Sequence, residues 1–204
     1  RLDARRTLKS LVADLRYMKY PIKTQRLTIR LAESEDAESI FSYRSDLEEN
    51  KYQGWFPDSV EEVRDYISNM PQTMDVANIC FQFAIIYTDE KKLIGDMGII
   101  FTNHENMQAE IGCTLHKDYK RQGYATEALN GMVDFLFGTL NKHRVIASID
   151  PRNSASIRLI ERLGFRKEAH FKKSYYLHEE WVDDIIYAKL KTEWVNNNKY
   201  TNKR

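Results

Sequence analysis

The sequence predicts a mixed α/β domain, and three patterns carry that expectation. Ile79, Phe81, Phe83, Ile85 and Tyr87 alternate strictly, a polar turn follows at 88–91, and a second apolar run over 93–101 returns, which is the signature of a β-hairpin. A strand over 107–115, a helix over 124–137 with Ala125, Leu129, Met132, Val133 and Leu136 on one face, and a strand over 145–149 make a βαβ unit. A right-handed crossover lays its strands parallel and aims the helix start at the carboxyl end of the first. Segments over 165–171 and 181–190 then read as an antiparallel closing pair.

The remaining elements follow in chain order. Leu8, Leu11, Val12, Leu15 and Met18 form a helical stripe among Arg5, Arg6, Lys9, Arg16 and Lys19, so residues 1–22 read as a basic amphipathic extension. Such a helix can lie on a membrane or a partner, but docking on its own domain or on a second subunit is the expectation, which leaves a homodimer open. Residues 25–30 alternate as a first strand. Ser34-Glu35-Asp36 opens a helix through Ile40, Phe41 and Tyr43, and Pro57-Asp58-Ser59 caps another over 60–70. A polar tail is expected over 195–204, so the folded domain is placed at 23–194.

With 204 residues and 42% hydrophobic content the chain buries one sizeable core, and no Gly/Ser/Pro-rich linker divides it. Thirty-one Lys+Arg against thirty Asp+Glu leave a formal charge of +1, which argues against nucleic acid or an anionic membrane surface as partner. Cys80 and Cys113 lie in separate apolar segments, a usage that fits a reducing cytoplasm. Histidines 104, 116, 143, 170 and 178 show no metal-ligand spacing, so no metal is assigned. No apolar run approaches about twenty residues, and a soluble cytoplasmic protein is expected. Neither Gly-x-Gly-x-x-Gly nor Gly-x-x-x-x-Gly-Lys-Ser/Thr occurs, which disfavours a dinucleotide or P-loop enzyme.

Two motifs carry the chemistry. Lys120-Arg121-Gln122-Gly123-Tyr124-Ala125 joins a strand end to the first turn of a helix, where Thr126 follows. Glycine lets the main chain approach a ligand closely, and the free amides of a helix start suit a diphosphate. About thirty residues on, after the turn Asp150-Pro151-Arg152, stand Asn153, Ser156 and then Gly164-Phe165. In this order and spacing the chain resembles the GNAT superfamily of acyl-CoA-dependent N-acetyltransferases, within it the branch of bacterial ribosomal-protein N-terminal acetyltransferases. The superfamily loop reads Gln/Arg-x-x-Gly-x-Gly/Ala, matched here except for Lys120 in first place. The second motif reads Asn-x-x-Ser/Ala followed by Gly-Phe. With Ala109-Glu110-Ile111-Gly112 and Glu180-Trp181-Val182-Asp183 the likeness spans roughly residues 23–194.

The resemblance implies a mixed sheet of about seven strands, mostly antiparallel, with helices on both faces and a parallel pair that splays between the fourth and fifth strands to admit pantetheine. It implies acetyl-CoA as cofactor, held by the main chain of Cys113, Thr114 and Leu115 and by Lys120, Arg121, Gln122, Gly123, Tyr124, Ala125 and Thr126 at the pyrophosphate. Glu110 falls where the family often carries its general base; the other reading is an exposed strand carboxylate or ion-pair partner, and Glu179 and Glu180 are held in reserve. Ser156 falls where the ribosomal-type branch has a serine near the pantetheine sulfur, and Asn153 one turn before it; both equally suit helix caps. Many members carry a tyrosine where this chain has Ile160, so acid catalysis by that residue is excluded. Cys113 reads as a buried thiol rather than a nucleophile.

Acceptor selection is assigned to the aromatic segments 52–57 and 172–178, with Trp55, Phe56 and Tyr175 as substrate-binding candidates. The expected activity is transfer of an acetyl group to a primary amine, either a protein N-terminus or a small molecule; the alternative is a non-catalytic acyl-CoA-binding module.

Overall fold

The computed structural model describes residues 21–71, 74 and 76–195. The extension expected over 1–22 lies outside them except for its last two residues, and so does the tail beyond 195. Strands β1 (Ile22–Lys23) and β2 (Leu27–Leu31) come first, with Leu27 and Ile29 turned into the core by alternation. Glu33 and Asp36 cap each other across a short 3-10 turn, Ser34–Asp36, which leads into α1 (Ala37–Arg44). A one-turn α2 (Leu47–Asn50) follows. Helix α3 (Val60–Ser68) starts where Ser59 accepts a hydrogen bond from the Glu62 amide, the cap read from Pro57-Asp58-Ser59.

The expected hairpin is β3 (Cys80–Tyr87) with β4 (Lys92–Thr102). Next come β5 (Gln108–Leu115), α4 (Tyr124–Asp134), a π-helical turn over Phe135–Thr139, and β6 (Arg144–Ile149). Helix α5 (Ser154–Arg162), β7 (Arg166–Leu177) and β8 (Glu180–Leu190) complete the described chain. All strands join one eight-stranded sheet in the order β1-β2-β3-β4-β5-β6-β8-β7. Every pairing is antiparallel except β5 with β6, the two arms of the βαβ unit. The strand beyond the expected seven is the two-residue β1.

Helices cover both faces of the sheet. One core packs α4 and α5 through Ala128, Leu129, Met132, Val133 and Ile160 against Phe81, Phe83, Ile85, Ile99 and Val145. The second, smaller core lies under α1 and α3 and is built from Ala37, Ile40, Tyr43, Val63 and Ile67. Strand β3 is therefore buried on both faces, Gln82 and Ala84 included, although its alternation points only to one.

The segment 172–178, read as a connection, is strand almost to its end. A two-residue turn, His178 (φ 48°) and Glu179 (φ 64°), closes the β7–β8 hairpin, with both central residues left-handed as tight hairpin turns require. Its sequence shows no apolar alternation because β7 is a solvated edge strand, exposed along most of its length. Among the described residues no helix is long and apolar enough to cross a membrane.

Candidate active site

Strands β5 and β6 pair only at Gln108–Arg144, Ala109–Val145 and Glu110–Ile146. Past Glu110 they diverge, because β5 stays on β4 up to Leu115 while β6 follows β8. Among the described residues, the fork leaves the backbone of 111–115 without a partner strand on one side, and unpaired strand groups are a ready template for an extended ligand. A small cavity of about 100 Å³ fills the fork, lined by Ile111, Gly112 and Cys113 from β5 and Ala147, Ser148 and Ile149 from β6. It shares Tyr52, Gln53, Cys113, Asn153 and Ser156 with a larger groove of about 740 Å³ that runs past Thr114 and Leu115 to Lys120, Arg121, Gly123 and Thr126.

The far end of this groove is the glycine-bearing loop. Arg121 (φ 64°) and Gly123 (φ 85°) both adopt left-handed backbone, which turns successive amides toward one side ahead of α4. Among the described residues, the first backbone donor after Lys120 with an acceptor in this stretch is Glu127, which donates to the Gly123 carbonyl. The helix start thus presents free N–H groups and the positive end of its dipole. Lys120 pairs with Glu49 at 2.6 Å, and the Gln122 side chain donates to the Asp118 carbonyl. The loop is braced from below by Arg26, which donates to the Gln122 carbonyl, pairs with Glu127 at 2.7 Å and stacks on the Tyr124 ring. Burial pushes the Glu127 carboxyl up, but hydrogen bonds from Thr24 and Arg26 outweigh it and hold the group ionised below its usual range.

Glu110 sits at the crotch of the fork on the face opposite the α4 core. Burial, and then the like charge of Asp184 on β8, raise its carboxyl above the usual range, while Asp184 accepts a hydrogen bond from Ser148 at 2.8 Å. The reserve carboxylates lie elsewhere: Glu180 pairs with Arg152 at 2.8 Å, and Glu179 forms the hairpin turn. Asn153 caps α5, its side chain accepting from the Ser156 amide at 3.1 Å, and the same two residues line both cavities, so the capping role leaves both within reach of the groove. Burial, with the nearby charge of Asp96, pushes the Cys113 thiol up to about 12, which disfavours the nucleophilic thiolate. Ile160 is buried in the core.

The segments 52–57 and 172–178, expected to select the acceptor, touch each other. Tyr175 reaches across to Gly54, and Phe56 packs on the His178 ring at 4.6 Å. Trp55 turns inward, onto Tyr66 at 4.9 Å and under the Arg44 guanidinium at 4.7 Å, so it supports the wall instead of lining the cavities. A further groove of about 1060 Å³ runs along β1 and α4, and of the cofactor candidates only Gly123 and Thr126 line it.

A family model described as an acetyltransferase (GNAT) domain matches residues 26–166, well over half of the chain. The chain belongs to the GNAT acetyltransferase family. An uncharacterized N-acetyltransferase, p20, of Bacillus licheniformis is 33% identical over 172 residues, covering 84% of this chain and 96% of the relative. The [ribosomal protein uS5]-alanine N-acetyltransferase of Escherichia coli is 27% identical, covering 86% and 93%. The crystal structure of a GNAT-family acetyltransferase from Bacillus anthracis superposes with a TM-score of 0.75 at 31% identity, covering 85% of this chain and 99% of that one. As a GNAT protein the chain is an acetyl-CoA-dependent N-acetyltransferase.

Sequence reasoning missed two carboxylates that act on candidate residues: Asp184, whose charge adds to burial in raising the Glu110 carboxyl, and Asp96, whose charge adds to burial in raising the Cys113 thiol. Asp184 stands beside Asp183 in an exposed-looking strand, and nothing local distinguishes the pair. Asp96 was legible in principle, as a lone charge inside the apolar run 93–101.

Proposed function

We propose that the protein transfers the acetyl group of acetyl-CoA directly to a primary amine, a protein N-terminus or a small-molecule amine, with residues 23–194 as the catalytic unit. The observation that carries this reading is the fork: unpaired strand backbone at 111–115, an amide nest at one end and a carboxylate with a raised pKa at the other. Acetyl-CoA supplies the activated acyl group as a thioester. The main chain of Cys113, Thr114 and Leu115 binds the pantetheine arm as a missing strand would, and the amides of 121–126, with Lys120 and Arg121, hold the diphosphate. Asn153 keeps α5 and hence Ser156 in place.

Glu110 accepts the proton of the amine as its nitrogen bonds to the carbonyl carbon and the carbon–sulfur bond breaks. A raised pKa brings its basicity closer to neutral pH, where a general base works best. Ser156 hydrogen-bonds the leaving sulfur, the place that Ile160 cannot fill. Tyr175 and Phe56, with Trp55 behind them, wall the acceptor. The [ribosomal protein uS5]-alanine relative favours a peptide N-terminus as the first acceptor to try. The test mixes protein, acetyl-CoA and a panel of N-terminal peptides and small amines while free thiol is followed. Thiol release that saturates with one amine supports the proposal; saturable CoA binding with no turnover on any amine refutes it in favour of a binding module.

A further inference from the structure

Buried polar atoms without partners are rare in proteins. Among the described residues, three buried side-chain oxygens lack a well-aligned partner: Tyr43 Oη, Asp96 Oδ1 and Thr114 Oγ1, although the first two are close enough for Asp96 to act on the Tyr43 hydroxyl. Asp96 and Thr114 stand opposite each other across the β4–β5 ladder, and the Tyr43 hydroxyl is pushed well above its usual range by burial and then by the Asp96 charge. Asp96 is fully buried. Its other oxygen, Oδ2, accepts from Arg44 Nε at 2.7 Å and from the Gln82 side chain. Arg44, also buried, spends its remaining reach on Trp55: Nη1 donates to the Trp55 carbonyl at 3.3 Å, and the guanidinium lies 4.7 Å from the indole centroid.

A continuous chain of contacts therefore runs from Thr114, on the strand that lines the cofactor groove, through Asp96 and Arg44 to the loop that carries Tyr52, Gln53, Gly54 and Phe56. An isolated buried ion pair is a poor stabiliser, since desolvation offsets much of its attraction and apolar replacements of similar volume are often neutral or better. Position explains this one. Asp96 bears on the Tyr43 hydroxyl by charge and a side-chain hydrogen bond and stands cross-strand from Thr114, so ligand bonds to the main chain of 113–115 act on the strand that this carboxylate faces.

We infer that Arg44 and Asp96 are positioning residues that couple the acyl-binding strand to the acceptor wall: cofactor bound along 113–115 orders residues 54–57. This rests on the acyl-transfer reading. It is tested with CoA alone, so no acceptor need be known. Calorimetry first measures the Kd for CoA in the wild-type chain, in Asp96→Asn, and in the double variant R44M/D96L, which exchanges the ion pair for apolar groups and so preserves folding. Hydrogen exchange over 54–57 is then compared with and without saturating CoA. The expected result is a CoA-dependent slowing of at least ~5-fold in the wild type, lost in both variants while the Kd for CoA changes little. Equal slowing in the double variant, or none in the wild type, overturns the coupling. Absence of CoA binding in the wild type is a distinct outcome and overturns the acetyltransferase site itself.

Discussion

Gly54 and Tyr175 are where segments 52–57 and 172–178 touch, and Gly54→Ala tests whether that contact shapes the proposed acceptor wall. An added Cβ at position 54 stands 2.4 Å from the Tyr175 hydroxyl oxygen and 3.6 Å from the ring carbon that bears it. Ordinary contact begins near 3.4 Å, so the hydroxyl must retreat by about 1 Å while the ring itself has room. Tyr175 is 45% exposed and free to swing, so the stability change is small, within about 0.5 kcal/mol. The catalytic change is larger, because displacing a positioning group by about 1 Å costs up to ~10²-fold. Gly54→Ala is therefore expected to lower kcat/KM for the best acceptor of the amine panel by ~10- to 100-fold, with Tm and CoA affinity nearly unchanged. In the background of Tyr175→Phe, which removes the clashing oxygen, Gly54→Ala should do little further harm. Unchanged turnover in the single variant, or an equally damaged double variant, refutes the reasoning.

Glu110→Gln should lower kcat by ~10²- to 10⁴-fold with CoA affinity intact, measured by thiol release and calorimetry. Because the folded pKa of Glu110 is raised, its neutral form favours the fold; that contribution is complete below the unfolded pKa and disappears as pH rises through the folded one. The same variant should thus be more stable than wild type at pH 7 and gain nothing in acid, as chemical denaturation at the two pH values will show. The acidic limb of the rate profile should move to lower pH in Asp184→Asn, which removes the like charge. Cys113→Ala should retain turnover within ~3-fold, whereas an acyl-enzyme route through that thiol would lose it entirely. Gly123→Ala forces a side chain into φ 85° and should destabilise by about 1 kcal/mol or more while weakening CoA binding, read by thermal melts and calorimetry.

Much of the fold was legible because its signals are local. The alternation of β3, the Ser59 cap of α3 and the stripe of α4 each report on a few neighbouring residues. Segment 172–178 was not, because a solvated edge strand has no buried face to impose alternation. Trp55 reads as an acceptor residue by composition alone, and only Arg44 and Tyr66, distant in sequence, show that it points inward.

The sequence by itself determined the family, and it singled out the glycine-bearing loop at 120–126 and the carboxylate at position 110 as candidates, since these depend on residue type and spacing along one stretch of chain. Tertiary structure alone decided where the β5–β6 ladder ends, that the Asp184 charge acts on Glu110, and that Asp96, cross-strand from Thr114, pairs with an Arg44 that holds the Trp55 carbonyl. Those facts arise from strands brought side by side across long separations, and no local pattern encodes the point at which two such strands part.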